Sequence, residues 1–325
     1  MKFTSLIYNK FKKTIKNLKP LYNIWKKYDW FITKRSIDRD IKIIPDKIYK
    51  GVFGKKINWD NPKCYIEKIY WMQLFTDTSL WSLCADKYKV REYVLGKGCG
   101  DVLNDLYGCW DNANFIDWEE LPQNFILKTN NACGRQITIF DKKTKDKEKI
   151  FKKMNEWLDE KYGYRDAQFH YTKIKPRIIA EKLLVNTVDE AKSLIDYKFF
   201  CFDGIPEYII VIYDKFDNKS KMSFYDLQWN NISERAIEKT SIRYGGLDIV
   251  RPISFDRMIQ VSKKLATGFP HVRIDFYEVD NKPIFGEMTF TPGYGSLTRD
   301  FYDYFGSKIH LDKQKKVTTS LLPFS

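Results

Sequence analysis

Arg273-Ile-Asp-Phe-Tyr277 and Phe285-Gly-Glu-Met-Thr-Phe290 are the strongest structural signals in this 325-residue chain. Both stretches are apolar, and each holds one carboxylate, Asp275 or Glu287, between apolar neighbours. Asp280-Asn281 lies between them and is typical of a tight turn. We therefore predict a β-hairpin with the two carboxylates on facing strands, where their mutual repulsion calls for a proton or a cation between them.

The carboxylate pair suits Mg²⁺, which takes hard oxygen ligands and often binds through one or two carboxylates together with substrate phosphates. Arg273 lies two residues before Asp275, so strand alternation puts both side chains on one face. An arginine in that place can hold a phosphate oxygen or a developing oxyanion. An Arg–Asp ion pair on a solvent-facing sheet explains the same residues equally well, and the residues alone leave both interpretations open.

Lys128 ends a predicted strand over residues 124–128 and precedes a loop of small and polar residues, 130–134. An ammonium group and backbone N–H groups that converge at such a loop suit phosphate binding. The chain has no Walker motif, and Gly134 alone is weak support. Phosphate binding here is a prediction that needs support from other residues.

Asp196 and Lys198 share one face of a predicted strand over residues 196–202. The carboxylate can accept hydrogen bonds from ribose hydroxyls, and the ammonium group can reach phosphates. An ordinary ion pair between neighbouring strands is the alternative explanation for the same two residues.

Helices and hairpins alternate along the chain without the strand–helix–strand rhythm of a doubly wound sheet, so we predict an α+β fold. Hydrophobic periodicity predicts helices over residues 80–94, 146–162 and 254–266. Further strands are predicted over residues 135–140, 177–181 and 207–213.

The basic excess is concentrated at the N-terminus. The chain carries 56 Lys and Arg against 42 Asp and Glu, a net charge of +14. Residues 1–35 hold ten basic residues and one acidic residue, which is +9 of that total. Phe3, Ile7, Phe11 and Ile15 recur there at helical spacing, so we predict a basic amphipathic helical segment. Such a segment suits an anionic membrane surface, and a helix packed on the domain with a solvated lysine face is equally consistent.

The composition excludes several classes of protein and of partner. With 43% apolar and 16% aromatic residues the chain is not disordered, and no run approaches the ~18 apolar residues of a membrane span. The six cysteines are not spaced as zinc ligands, and we expect reduced thiols. The lysine-dominated N-terminal segment lacks the base-reading side chains of DNA-binding helices, so nucleic acid is not an expected partner. Without a continuous apolar signal region the protein is expected in the cytoplasm, with residues 1–35 able to attach it to the inner face of the membrane.

The stretches ADKYKVREYV, LPQNFILKTNNACG, IIAEKLL, DYKFFCFDG and RIDFY…FGEMTFTPGYG, in this order over about residues 80–300, resemble the ATP-grasp superfamily. More narrowly, the chain is similar to the TupA-like (teichuronopeptide) ATP-grasp proteins found with polysaccharide biosynthesis genes. The resemblance implies two α+β lobes that clamp ATP between antiparallel sheets. The implied divisions are a basic helical segment (1–35), an N-terminal region (36–120), a small lobe (121–185), a large lobe with the metal site (186–310) and a C-terminal tail (311–325).

The resemblance also implies a role for each motif residue. Arg273, Lys128 and Lys198 would be the catalytic groups. The implied nucleotide-binding residues are Lys87, Lys128 and Lys198 for the phosphates, Gly134 for the closing loop, Glu181, Lys182 and Leu183 for adenine, and Asp196 for the ribose. The implied Mg²⁺ ligands are Asp275, Glu287 and Thr289. Thr289 stands where many members have Asn, and because a hydroxyl binds Mg²⁺ less strongly, the number of metal ions stays open.

The activity that the resemblance implies is ATP-dependent joining of a carboxylate to an amine through an acylphosphate. The implied substrates are a uronic acid of a capsular or teichuronopeptide-like surface polysaccharide, or its precursor, and an amine or amino acid. Two alternatives remain open. The same fold supports phosphotransfer to a sugar hydroxyl, and a scaffold at the membrane surface could keep the fold without turnover.

Overall fold

A computed structural model gives the structure of the chain and describes residues 19–186, 193–214, 220–241 and 243–317. Over these ranges the protein is α+β, as predicted, with helices packed on two antiparallel sheets. The helices are α1 (Lys19–Arg39), α2 (Ile43–Phe53), α3 (Tyr65–Phe75), α4 (Ser79–Ala85), α5 (Val90–Gly96), α6 (Lys147–Leu158), α7 (Ser233–Ala236), α8 (Phe255–Ala266) and α9 (Arg299–Ser307). The strands are β1 (Leu106–Trp110), β2 (Phe125–Thr129), β3 (Gln136–Ile139), β4 (Ile178–Glu181), β5 (Asp196–Phe202), β6 (Ile205–Tyr213), β7 (Lys221–Asp226), β8 (His271–Val279) and β9 (Lys282–Thr289).

The smaller sheet has the strand order β1-β4-β2-β3, and all its neighbouring strands are antiparallel. Strand β2 alternates along its length and buries Phe125 and Leu127 on one face. Helix α6 covers that face with the buried residues Phe151 and Met154, and Trp118 meets Phe125 and Phe151 edge-on. The opposite face of β2 is only partly covered, which leaves its side chains accessible to a ligand.

The larger sheet has the strand order β7-β6-β5-β8-β9 and is also antiparallel throughout. Helix α8 lies on one of its faces because Phe255, Met258, Val261 and Leu265 recur every three or four residues and are buried there. The ring of Phe255 lies 5.7 Å from that of Phe199 on β5. This packing forms the main core.

Helices α3 and α9 cover the other face of the larger sheet at the end where β8 begins. The ring of Phe305 lies 5.0 Å from that of Phe202, and Tyr65 donates its hydroxyl to Nε2 of His271 at 2.6 Å. Nδ1 of His271 donates to the carbonyl oxygen of Cys201 at 2.9 Å. Burial lowers the pKa of His271 to about 3, so the ring is a neutral anchor. Beyond it, the same face carries charged side chains.

Most predicted elements are confirmed within a few residues, including all of the predicted strands. The hairpin over β8 and β9 turns at Asp280 and Asn281, whose φ values of 51° and 60° suit a tight hairpin turn. The prediction of one helix over residues 80–94 is wrong, because α4 ends at Ala85 and α5 begins at Val90. Helices α2, α3, α7 and α9 and strands β1 and β7 were not predicted. Helix α3 is buried on nearly every side, so it shows no helical periodicity.

The predicted basic amphipathic helix depends on apolar positions 3–18, which lie outside the described residues. Helix α1 continues through residue 35, where the basic segment was predicted to end. Its Asp29 pairs with Arg165 at 3.5 Å, so this part of the helix contacts the rest of the fold. In the described part of the chain, every helix is too short or too polar to cross a membrane.

Candidate active site

The register of the larger sheet brings five of the predicted site residues onto one face. Lys198 on β5 lies opposite Asp275 on β8, and Asp275 lies opposite Glu287 on β9. Two residues earlier on β8, Arg273 lies opposite Thr289. Directly opposed residues of antiparallel strands point to the same side. These five side chains are called the carboxylate cluster below.

A β-bulge at Gly286 sets this arrangement. Glu287 pairs with Asp275 while Phe285 pairs with Phe276, so Gly286 is an extra residue on β9. A Cβ at this position would lie 3.1 Å from the carbonyl oxygen of Asp275 and 3.3 Å from the ring of Tyr277. The close approach favours glycine, and the bulge lets Glu287 face the cluster while Phe285 stays buried.

Asp275 is the centre of the carboxylate cluster. Its side chain is 4% exposed, and it accepts two hydrogen bonds of 2.7 Å from Nε and Nη2 of Arg273. It also accepts a hydrogen bond from Nζ of Lys198. Burial lowers the pKa of Lys198, but the charges of Asp275 and Asp196 outweigh it and the pKa lies above its usual value. Both cations therefore stay charged, and the buried carboxylate is held from two sides.

Glu287 is the more accessible carboxylate of the cluster, with 31% of its side chain exposed. Its Oε1 accepts from the hydroxyl of Thr289 at 2.8 Å and from Nη2 of Arg273 at 3.3 Å. Burial acts to raise the pKa of Glu287, but the charges of Lys87, Lys198 and Arg273 outweigh it and bring the pKa below its usual value. Glu287 is therefore an anion at neutral pH and faces the space where a ligand can approach.

Asp196 lies at the edge of the carboxylate cluster, 3.4 Å from Nζ of Lys198. Tyr277 hydrogen-bonds to it, and the charge of Asp196 followed by burial raises the pKa of this phenol well above its usual value. The hydroxyl of Tyr277 therefore stays protonated and donates to the carboxylate. Tyr277 was not among the predicted site residues, although it is on the Arg273 and Asp275 face by simple alternation.

Lys87 reaches the cluster because helix α4 packs on strand β9. Trp81 of α4 stacks on Phe290 with 5.1 Å between ring centroids, and α4 ends just before Asp86. Asp86 then accepts hydrogen bonds from the backbone N–H groups of Tyr88 and Lys89, which breaks the predicted single helix in two. This break is what projects Lys87 toward the sheet.

The loop over residues 130–134, between β2 and β3, is fixed to the same segment. The N–H of Lys87 donates to the carbonyl oxygen of Asn130 at 3.1 Å, and Nζ of Lys87 donates to that of Ala132 at 2.8 Å. Gly134 has φ of +67°, a conformation that favours glycine. Desolvation of the sulfur, and next the charge of Glu287, raise the pKa of the Cys133 thiol. The tip of the loop therefore lies close to the carboxylate cluster.

The smaller sheet carries a second charged group. Lys128 on β2 donates to Oε2 of Glu181 on β4 at 2.6 Å, and Nη1 of Arg91 lies 4.0 Å from Oε1 of Glu181. Lys128 was expected to bind phosphates and Glu181 to meet adenine. In the structure the two side chains pair with each other, and their roles toward a nucleotide stay predictions.

The chain leaves β4 through Lys182 and Leu183. The N–H of Lys182 donates to the carbonyl oxygen of Asp105 at 3.0 Å, and its carbonyl oxygen accepts from Nδ2 of Asn104 at 2.9 Å. A carbonyl oxygen has two lone pairs, so that of Lys182 keeps room for one more donor, whereas its N–H is committed. Asn104 and Arg91, which hold this segment, had no role in the sequence interpretation.

The predicted site residues therefore form two groups. The carboxylate cluster, with Asp196, Lys87 and the 130–134 loop beside it, is one group. Lys128 and Glu181 on the smaller sheet, followed by Lys182 and Leu183, are the other. Strand β2 runs directly into the 130–134 loop, so the loop connects the two groups.

The residues of the carboxylate cluster fit a Mg²⁺ ion. Asp275 and Glu287 supply hard oxygen atoms on one face of the sheet, and the Thr289 hydroxyl lies beside them. Among the described residues there is no group of three or more Asp, Glu, His or Cys that could hold a metal alone. A pair of carboxylates completed by substrate phosphates is the usual arrangement for Mg²⁺.

Comparison with solved structures finds ATP-using ligases at low identity. A D-alanine–D-alanine ligase from Bacillus anthracis is 15% identical with a TM-score of 0.43, covering 72% of this chain and 66% of that one. N5-carboxyaminoimidazole ribonucleotide synthetase from Thermus thermophilus is 9% identical with a TM-score of 0.40, covering 67% and 48%. The ATP-grasp ligase PsnB complexed with minimal precursor is 11% identical with a TM-score of 0.35, covering 69% and 56%. The chain thus spans about half to two thirds of these proteins.

No curated protein matches the chain. The family model for TupA-like ATP-grasp proteins matches residues 67–310, which is most of the chain. The match confirms the resemblance to TupA-like ATP-grasp proteins, and it supports ATP as the nucleotide. The chain belongs to the TupA-like ATP-grasp family.

Proposed function

We propose that this protein is an ATP- and Mg²⁺-dependent carboxylate–amine ligase that forms an amide through an acylphosphate. The observation that carries the proposal is the carboxylate cluster, in which Asp275 and Glu287 face Arg273 and Lys198 on one side of a sheet. Two carboxylates suit a Mg²⁺ ion that also binds phosphates. Two fixed cations suit the negative charge of phosphoryl oxygens and of a tetrahedral oxyanion.

In this proposal Lys87, Lys128 and Lys198 bind the phosphates of ATP. Each of them already donates to an oxygen of the protein, which is the carbonyl of Ala132 for Lys87 and a carboxylate for the other two. Phosphate oxygens would replace or share these acceptors. The loop around Gly134 closes over the phosphates and excludes water, to which an acylphosphate is sensitive.

The nucleoside lies between the two groups of site residues. Glu181, the free lone pair of the Lys182 carbonyl and the backbone of Leu183 meet the adenine edge. Asp196 accepts a ribose hydroxyl, and the hydrogen bond from Tyr277 fixes its orientation.

Asp275 and Glu287, with the hydroxyl of Thr289, hold Mg²⁺, which neutralises charge on the phosphates when bound. In the first step a carboxylate oxygen of the acceptor attacks the γ-phosphorus and ADP leaves. In the second step the amine nitrogen attacks the acyl carbon, loses a proton, and inorganic phosphate leaves. Attack by the amine gives a tetrahedral oxyanion, which collapses when phosphate leaves. Arg273, which is fixed by Asp275 and Thr289, stabilises this oxyanion.

The acceptor in this proposal is a uronic acid of a surface polysaccharide, capsular or teichuronopeptide-like, or its precursor, and the donor is an amine or amino acid. This substrate class is the one that the resemblance to TupA-like proteins implies. The catalytic unit consists of an N-terminal region (36–120), a small lobe (121–185) and a large lobe (186–310). The strands support the boundary at 185, since β2–β4 precede it and β5–β9 follow it, whereas β1 pairs with β4 and so connects residues 106–110 to the sheet of the small lobe.

The experiment is an assay of purified protein with ATP and Mg²⁺, using glucuronate or galacturonate as acceptor and the amino acids as amines. An amide product has the summed mass of the two substrates less one water, and it forms together with ADP and phosphate. A phosphorylated sugar would instead establish the phosphotransferase alternative. No ATP consumption with any pair would contradict both.

We also propose that the protein works at the inner face of the membrane, held there by the basic residues among positions 1–35. The test is co-sedimentation with phosphatidylglycerol vesicles, with phosphatidylcholine vesicles as the neutral control. Deleting residues 2–18 should abolish binding to the anionic vesicles. If it does not, this part of the segment is no membrane anchor.

A further inference from the structure

A long groove lies on the outer side of helix α3, away from the carboxylate cluster. It consists of two adjoining cavities of about 600 and 530 Å³, which share Asn61 and Lys68 as lining residues. Each cavity is in the size range of ligand pockets. Neither is lined by a residue of the candidate active site.

One face of helix α3 forms the wall of this groove. Lys68, Trp71 and Phe75 follow one another at intervals of three and four residues, so they lie on one side of the helix. Trp59 meets Phe75 edge-on with 6.1 Å between ring centroids, and Trp71 lies 5.4 Å from the same ring. Three aromatic rings therefore lie together in the wall of one cavity.

Lysine side chains cover these rings. Nζ of Lys42 lies 5.6 Å from the ring centroid of Trp59 and 5.4 Å from that of Phe75. Nζ of Lys316 lies 5.4 Å from the ring centroid of Trp71. The cations are thus placed at the aromatic surface and near Lys68, whose own Nζ donates to the carbonyl oxygen of Ile309. Such cation–π contacts are weak enough to be exchanged for a ligand anion.

Polar and charged side chains line the groove beside the aromatic rings. Asn61 offers an amide, and Asp60, His310 and Asp312 offer acceptors beside the aromatic wall. In the second cavity Lys55, Lys63 and Arg299 add further cations, and Glu67 and Asp303 add carboxylates, of which Asp303 pairs with Arg299 at 3.1 Å. Flat apolar faces, hydroxyl-binding groups and cations within one groove match a sugar ring that bears a carboxylate.

We propose that this groove is a second binding site, which takes an acidic saccharide of at least two sugar units independently of ATP. The C–H faces of the sugars pack on Trp59 and Phe75, the half-buried rings of this wall, while Lys42 and Lys316 exchange their ring contacts for the carboxylates. The site goes beyond the proposed ligase activity, which does not require it. It would hold a polymeric glycan on the enzyme at a place separate from the reacting end.

The test is to titrate the full chain with α-1,4-trigalacturonate in the absence of nucleotide. Binding is measured by calorimetry and by tryptophan fluorescence. The control ligand is the fully methyl-esterified trimer, which keeps the rings and loses the charges. We expect the acid to bind and the ester to bind at least about tenfold more weakly, as for the loss of one charge-assisted hydrogen bond. No binding of the acid up to millimolar concentration, or equal binding of acid and ester, overturns the proposal.

A pair of variants locates the site. Lys42→Gln combined with Lys316→Gln should weaken binding of the acid at least about tenfold. The matched control is Lys149→Gln combined with Lys153→Gln, which removes the same charge from exposed positions of helix α6 and should bind as the wild type does. Equal affinity in the two double variants contradicts the assignment, and thermal melting confirms that each is folded. Because ATP is absent, failure here is distinct from failure of the ligase assay.

Discussion

The two sheets hold their charged site residues in different ways. In the larger sheet, strand register and the bulge at Gly286 align Lys198, Asp275 and Glu287 on three neighbouring strands, and the buried Asp275 is bound by two cations at once. In the smaller sheet, Lys128 and Glu181 form an ion pair at 2.6 Å that is more exposed than the pair of Lys198 with Asp275. Asp275 is therefore held by two partners, whereas Lys128 and Glu181 mainly hold each other, and in the proposed function they exchange this contact for the nucleotide.

This difference predicts unequal sensitivity to substitution. Removing a member of the carboxylate cluster leaves a buried charge without its partner, which is costly for folding and for chemistry. Removing a member of the Lys128–Glu181 pair frees the other for solvent or for ATP. Four substitutions test the contrast, beginning with the largest expected effect.

Asp275→Asn should reduce ATP turnover by about 10²–10³-fold, because it removes a proposed metal ligand and the carboxylate that holds Arg273 in place. It should also lower the free energy of unfolding by about 3–5 kcal/mol, since Arg273 and Lys198 lose their shared carboxylate. The measurements are steady-state ATP turnover and urea unfolding. The matched control is Glu207→Gln, which neutralises a carboxylate on β6 of the same sheet. Near-normal turnover in Asp275→Asn would contradict its role.

Glu287→Gln should reduce turnover by about 10²-fold with a smaller effect on stability, because Glu287 is partly exposed. Its pKa is lowered in the fold, so the carboxylate stabilises the protein above its unfolded pKa of about 4.3, and that contribution is lost as the pH falls through the lowered value. The unfolding free energy of the wild type should thus fall more steeply with acid than that of the variant. Parallel curves below about pH 5 would show that the charge of Glu287 is not stabilised by its neighbours.

How far the sequence predicts this site depends on the kind of contact. The β8–β9 hairpin and the shared face of Arg273 and Asp275 follow from alternation and a turn pair, which are local signals, whereas Glu287 joins this face only through the bulge at Gly286. The bulge at Gly286 was not predicted, because the hydrophobic pattern of the sequence does not show an extra residue in a strand. The pairing of Lys128 with Glu181 joins residues 53 positions apart, which no local pattern reports.

The secondary structure was likewise predicted only where the signal is local. Strand β8 and helix α8 carry clear periodicity and β5 is a short, mostly apolar run, and the sequence predicts all three closely. Helix α3 is buried on almost all sides and lacks a polar face, so it was missed. The end of α4 depends on Asp86, whose side chain bonds both its own turn and Asn130 of a distant loop. Tertiary contacts, and not propensity, decide such breaks.

Gly286→Ala tests whether the bulge positions Glu287. The new Cβ would press on the backbone of Asp275 and on the ring of Tyr277, which should cost about 1–3 kcal/mol of stability and lower turnover by about tenfold. Gly268→Ala is not a suitable control because its φ is positive, whereas Gly51→Ala meets open space without that strain. Turnover equal to that of Gly51→Ala would show that the bulge has no part in placing the carboxylate.

Glu181→Gln should have the smallest effect, a rise of the KM for ATP of about fivefold to tenfold with kcat little changed. The ion pair with Lys128 is partly exposed, so its loss should change stability by less than about 1 kcal/mol. The measurement is KM and kcat with ATP and with GTP as the nucleotide. Because the variant loses an adenine contact, its preference for ATP over GTP in kcat/KM should be smaller than that of the wild type. A collapse of kcat instead would place Glu181 in the chemistry and remove the contrast between the two sheets.

The most direct test of the central claim, that Asp275 and Glu287 bind Mg²⁺ together with the nucleotide, is calorimetric titration of a non-hydrolysable ATP analogue with and without Mg²⁺. In the wild type we expect Mg²⁺ to tighten binding of the analogue by at least about tenfold, as for one added charge-assisted contact. In Glu287→Gln the difference between the two conditions should largely disappear, while binding without Mg²⁺ persists. An unchanged Mg²⁺ dependence in Glu287→Gln would contradict the account.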